Sequence, residues 1–103
     1  MKILCEGLIG KYTGKKLGFI LPLPKYVNST DYSYPSESFK PYVDCIKDVC
    51  MRYSIPTLDL WTESGIYPAL AGVRTAMIPD GLHPNAVGHG LISMKIQRFI
   101  ENL

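Results

Sequence analysis

Two short apolar runs, Leu17–Leu21 and Ile55–Trp61, flank one strongly periodic stretch, and this order constrains the chain more than any other feature. Between the runs, Phe39, Tyr42, Val43, Ile46, Val49, Cys50 and Tyr53 recur at steps of three and four. That spacing places them on one face of a helix. Ser38 supplies its N-cap, and Pro41 falls in the first turn, where a missing N–H costs little. Leu17–Leu21 (LGFIL) is too short for a helix and is closed by Pro22 and Pro24, so it reads as a strand buried on both faces. Ile55–Trp61 reads as a second strand, with Pro56 tolerable at its start. A strand, a helix and a second strand imply parallel pairing through a right-handed crossover.

The rest extends this alternation. Ile3, Leu4, Leu8 and Tyr12 give an N-terminal helix an apolar face, weakened by Gly7 and Gly10 and stopped at Thr13-Gly14. Asn85 can cap a last helix whose stripe is Ile92, Ile96, Phe99 and Leu103. Residues 22–38 form a long Pro- and Ser-rich loop, and residues 62–79 read as irregular, with one helical turn near Thr62–Gly65. The expectation is a single α/β domain over residues 1–103, in the order helix–strand–helix–strand–helix with parallel strands.

Of the 103 residues, 47% are hydrophobic, enough to fill a core and to exclude disorder. The net charge of +2 and the lack of a basic cluster argue against nucleic acid as a partner. The apolar runs are too short to span a membrane. Cys5, Cys45 and Cys50 form no regular framework and read as small apolar fillers, which favours a reducing, cytoplasmic setting. A signal peptide on a preceding segment would leave no trace in these residues.

The stretch Asp80-Gly81-Leu82-His83-Pro84-Asn85 carries the chemistry. Gly81 lets the backbone turn, and Pro84 removes a donor just ahead of the last helix. An Asp three residues before a His can hold the proton on one ring nitrogen and leave the other as a base. Equally, Asp80 and Asn85 can simply cap the turn and leave His83 as a surface residue. Asp80, His83 and His89 can be written as metal ligands, but His89 lies beyond the helix's first turn and no fourth donor is placed to help. Neither a metal nor another cofactor is expected. Asp59, at the end of the second strand, can be written as an acid/base group but reads better as a cap for the turn at Trp61–Thr62. Trp61, Tyr67 and Arg74 fit either a cleft near His83 or, for the aromatics, the core. Tyr26, Tyr32 and Tyr34 fit either an aromatic wall or a loop packed onto the protein.

DGLHPN followed by AVGHGLISMKI resembles the closing segment of the SGNH/GDSL ester hydrolases. In that family an Asp-x-x-His motif, often followed by Pro, precedes the terminal helix. KYTGKKLGFILPLP is similar to the family's late helix end, strand and Pro-containing loop, and SIPTLDLW to its following strand. The resemblance spans nearly the whole chain. It implies a three-layer, flavodoxin-like α/β fold, a small carboxylic ester as substrate, His83 as general base and Asp80 as the residue that orients it.

The sequence departs from the family in one decisive respect. It has no Gly-Asp-Ser nucleophile segment, no Gly-x-Asn-Asp segment and no G-x-S-x-G elbow. Ser29, Ser33, Ser36, Ser38, Ser54, Ser64 and Ser93 all lack a nucleophile's setting. The chain is expected to match the last half of the family fold and to be inactive or nearly so alone. The alternative is a non-catalytic binding or assembly domain derived from that fold. In the family's strand order, 2-1-3-4-5, Leu17–Leu21 would have a third strand beside it. Left bare, that edge is a template for pairing, so a homo-oligomer through residues 17–21 is expected.

Overall fold

The protein is described here as a computed structural model covering residues 1–24, 40–68 and 70–103. The elements are α1 (Lys2–Lys11), β1 (Phe19–Ile20), α2 (Lys40–Arg52), β2 (Thr57–Leu58), α3 (Leu60–Glu63), α4 (Ala71–Met77) and α5 (Ala86–Glu101). The two strands are parallel, with Phe19 opposite Thr57 and Ile20 opposite Leu58. The Phe19 amide donates to the Pro56 carbonyl at 3.0 Å and the Leu21 amide to that of Leu58 at 2.9 Å, so the ladder runs past the formal strand ends. The architecture is α/β, as the alternation implies.

Side-chain alternation along β1 divides the core. Leu17 and Phe19 join Cys5, Cys50 and Ile55 beneath α1 and α2, and Leu21 packs with Val43 and Trp61 nearby. On the other side, Leu58 packs against Leu60, Ile66, Ile78 and Ile92, the cluster that holds α4 and α5. Gly18 faces α5: a Cβ there would sit 2.8 Å from the Phe99 ring and 3.0 Å from Leu103. The absent side chain is what lets α5 close on the start of β1.

The Leu17–Leu21 run is not a strand buried on both faces, since only Phe19–Ile20 forms β1 and Ile20 is 45% exposed; four further expectations need correction. First, the second strand stops at Leu58 rather than Trp61, because the Asp59 carboxylate accepts the Thr62 amide at 3.1 Å and starts α3. Second, residues 62–79 are not irregular throughout. Ala71–Met77 is helical, and its Val73 and Met77 pack on the Ile78–Ile92 cluster. Third, α1 buries a different face from the one read in the sequence. Met1, Cys5 and Ile9, four apart, pack inward, while Ile3 is 87% exposed and Leu4 49%. Tyr53 secures that orientation by donating its hydroxyl proton to Glu6 at 2.5 Å. Fourth, all three cysteines are free thiols but only Cys5 and Cys50 are fillers; Cys45 is exposed. The Ser38 cap, Phe39 and most of the 22–38 loop, including Tyr26, Tyr32 and Tyr34, lie outside the described residues.

Candidate functional site

The segment between α4 and α5 is built as a closed turn. The Gly81 amide donates to the Ile78 carbonyl at 2.8 Å with Gly81 at φ +77°, a left-handed conformation that glycine adopts without strain. At its base the Asn85 side chain serves both helices. Its Oδ1 accepts the Gly88 amide at 3.0 Å as the N-cap of α5, and its Nδ2 donates to the Ala76 carbonyl of α4 at 2.9 Å. Gly88 is buried against that same junction: a Cβ there would lie 2.5 Å from the Met77 carbonyl oxygen.

Within the turn the structure brings Asp80 and His83 together. Asp80 Oδ1 accepts the backbone amides of Leu82 at 2.8 Å and His83 at 2.6 Å. Its Oδ2 lies 2.6 Å from His83 Nδ1. These bonds, led by the His83 amide and followed by the His83 ring and the Leu82 amide, hold the Asp80 carboxyl well below the ordinary carboxylate range. An ionised carboxylate only accepts, so the proton of the shared bond sits on Nδ1. In the neutral form of the ring, that tautomer puts the lone pair on Nε2, the atom a base would use. Both side chains are open to solvent, His83 at 76% and Asp80 at 55%. The arrangement can orient an imidazole, but it has no apolar cover to strengthen the charge interaction.

The turn stands at the carboxyl ends of the strands. Leu82 lines a groove of about 270 Å³ together with Pro22 and Leu23, which follow β1, and Trp61, which follows β2. A hollow of about 370 Å³ between Tyr12, Leu17 and Ser54–Pro56 lies at the amino ends instead. Open α/β sheets place their ligands at the carboxyl edge, so the groove that Leu82 lines is the relevant one of the two.

The other singled-out residues fall apart from this pair. His89 is exposed on α5, and among the described residues no three His, Cys, Asp or Glu side chains gather as metal ligands. Arg74 donates to the Pro68 carbonyl at 3.0 Å rather than lining the groove. Trp61 is both core and wall: it is 6% exposed yet borders the groove. Tyr67 is half exposed and borders a separate hollow with Trp61. Asp59 caps α3 and accepts from Lys47 at 2.7 Å and from the Thr62 hydroxyl at 2.6 Å. Burial pushes its carboxyl up, but these bonds outweigh burial and leave it below the usual value. Sequence reasoning saw Asn85 as a cap only. A signal for its second role was present in Val73 and Met77, four apart, which mark the helix that Asn85 ties down.

No helix among the described residues is long and apolar enough to cross a membrane. No family model and no curated protein matches the chain. Two crystal structures are similar to it. One aligns with a TM-score of 0.82 at 27% identity, over 99% of this chain and 50% of that one. The other, a protein from Lactobacillus plantarum, aligns with a TM-score of 0.77 at 23% identity, over 97% of this chain and 50% of that one. The chain therefore shares its fold with these proteins and spans half their length.

Proposed function

We propose that this chain carries the Asp–His portion of a serine ester hydrolase of the SGNH/GDSL type, with His83 as general base and Asp80 as the residue that orients it. In this reading β1 and β2 are the last strands of a larger three-layer sheet, and the substrate is a small carboxylic ester. The observation that carries the reading is the Asp80 carboxylate. It takes two backbone amides on one oxygen and the His83 ring on the other, at 2.6 Å. A turn that needed only a cap would not require the ring contact. The nucleophile and the oxyanion donors are to come from other residues, since no serine of this sequence stands in a nucleophile's setting. The exposure of both side chains favours, as a second reading, a binding or assembly domain that retains the turn without its chemistry.

The test has two arms. The 103-residue chain should hydrolyse p-nitrophenyl acetate no faster than its His83→Ala variant. The genomic sequence preceding Met1 should encode a Gly-Asp-Ser segment in frame. The joined polypeptide should then hydrolyse the ester and lose about 10³-fold or more on His83→Ala. An upstream frame without that segment, or a joined enzyme indifferent to His83, overturns the hydrolase reading in favour of the second.

A further inference from the structure

We infer that Cys5 and Cys50 form a redox clasp: met by a small disulfide such as oxidised glutathione, their thiols close to a disulfide that staples α1 to α2. Both residues are 0% exposed and share one buried cluster with Ile55. Cys5 stands on the inward stripe of α1 between Met1 and Ile9, and Cys50 lies near the end of α2. The Tyr53–Glu6 bond sets their height. Glu6 follows Cys5 directly and Tyr53 stands about one helical turn beyond Cys50, so this bond, at 2.5 Å, brings the two cysteines level across the seam. Burial first, and then the Cys5 thiol beside it, push the Cys50 thiol up from its ordinary value. A disulfide requires two cysteines that face each other from neighbouring backbones.

Two features let a reagent in. Gly7 and Gly10 weaken the interior of α1, and a Cβ at either would meet nothing within 4 Å, so packing does not require them. A hollow of about 380 Å³ lies along the same seam, between Lys2 of α1 and Val49, Arg52 and Tyr53. While α1 is closed the buried thiols are inert; when it opens, one can ionise and react. That thiol loses its proton to solvent and attacks a sulfur of oxidised glutathione. The reagent's S–S bond breaks, one glutathione thiolate leaves and takes up a proton, and a mixed disulfide remains. The second cysteine then attacks the protein sulfur of that mixed disulfide and releases the other glutathione. Two protein thiols are oxidised and one reagent disulfide is reduced to two thiols. The clasp does not depend on the hydrolase reading.

The test uses the 103-residue chain with Cys45→Ser, which removes the exposed third thiol. The folded protein is incubated with oxidised glutathione, quenched in acid and alkylated in denaturant, and its mass is read. Loss of two hydrogens is expected, with no alkylation and no retained glutathione. The circular dichroism spectrum should stay the same. The urea midpoint of the oxidised form should rise by about 1 M over the reduced form, because the bond closes a long loop in the unfolded chain. Dithiothreitol should restore both thiols and the original midpoint. Adding Cys5→Ala or Cys50→Ala should stop the reaction at the mixed disulfide and abolish the rise, each variant being compared with its own reduced form. Thiols that both stay free, glutathione retained while both cysteines are present, or a disulfide that lowers the midpoint overturns the clasp.

Discussion

The Asn85 amide donates to the Met77 carbonyl at 2.8 Å, and this bond shuts the base of the turn that holds Asp80 and His83. The pair is therefore positioned by a junction of two helices and not by the turn alone. The C-terminal end of α4 and the first turn of α5 meet there with no room to spare, because Gly88 lies against the same Met77 carbonyl.

Gly88→Ala tests that junction. In an open helix the change would gain about 1 kcal/mol from propensity. Here the added methyl group would meet backbone at 2.5 Å, which cannot swing aside as a side chain would. The expected outcome is a net loss of about 1–3 kcal/mol in urea unfolding. Gly90→Ala on the same helix, where a Cβ meets nothing within 4 Å, should be neutral or stabilising. Equal effects at the two positions would show that the junction is looser than described.

The Asp80 carboxyl gives a pH signature with a definite sign. Its folded value lies below the ordinary ~3.9 of an unfolded chain. A carboxylate depressed in this way contributes stability that is complete above the unfolded value and fades as pH falls toward the folded one. The stability difference between the protein and Asp80→Asn should therefore shrink as pH falls below about pH 4. Carbon NMR of the Asp80 carboxyl should show a midpoint well below 3.9. A midpoint at or above the ordinary value would mean that the amide and ring bonds do not form in solution.

Asp59 is the other carboxylate with a structural task. Its side chain is 8% exposed and holds the Lys47 ammonium, the Thr62 amide and the Thr62 hydroxyl at once. Asp59→Ala removes the α3 cap and leaves those donors without their acceptor, for an expected loss of about 2 kcal/mol in chemical denaturation. Asp59→Asn keeps an acceptor for the Thr62 amide and should lose about half as much. If both variants unfold at the same denaturant concentration as the parent, the cap is not what ends β2.

The contrast between Asp59 and α1 shows what could be read from the sequence. Asp59, Asn85 and the Asp80–His83 spacing are local features: each acts on backbone or side chains within a few residues, so their chemistry was visible in one dimension. The face of α1 was not. Ile3 and Leu4 are the more apolar residues, yet Cys5 and Ile9 go inward because Cys50, Ile55 and the Tyr53–Glu6 bond set the helix's rotation from 40 and more residues away. The same holds for α4: Gly72 and the flanking Pro68 and Pro79 mask its periodicity, and packing of Val73 and Met77 against a distant cluster overrides weak propensity.

Self-association is the last expected outcome, and it follows from β1. Phe19 and Leu21 direct their amides to β2, so Ile20 between them turns its amide and carbonyl to the other side. Its side chain is 45% exposed, and the strand carries neither a proline nor a charge to protect that edge. The inverted face of α1 adds Ile3 and Leu4 to the uncovered apolar surface. The Cα radius of gyration is 15.2 Å, against about 13 Å for a compact chain of this length, so much of the chain lies near a surface. We propose that two copies join their β1 edges antiparallel across a two-fold axis, which would pair both rows of backbone groups in one step. Light scattering of the 103-residue chain should give a dimer at micromolar concentration. Ile20→Lys, which puts a charge on the edge without touching the β1–β2 ladder, should shift the chain to monomer with its helical circular dichroism retained. A well-folded monomer in the unsubstituted chain would sink the proposal and mean that another element covers the β1 edge.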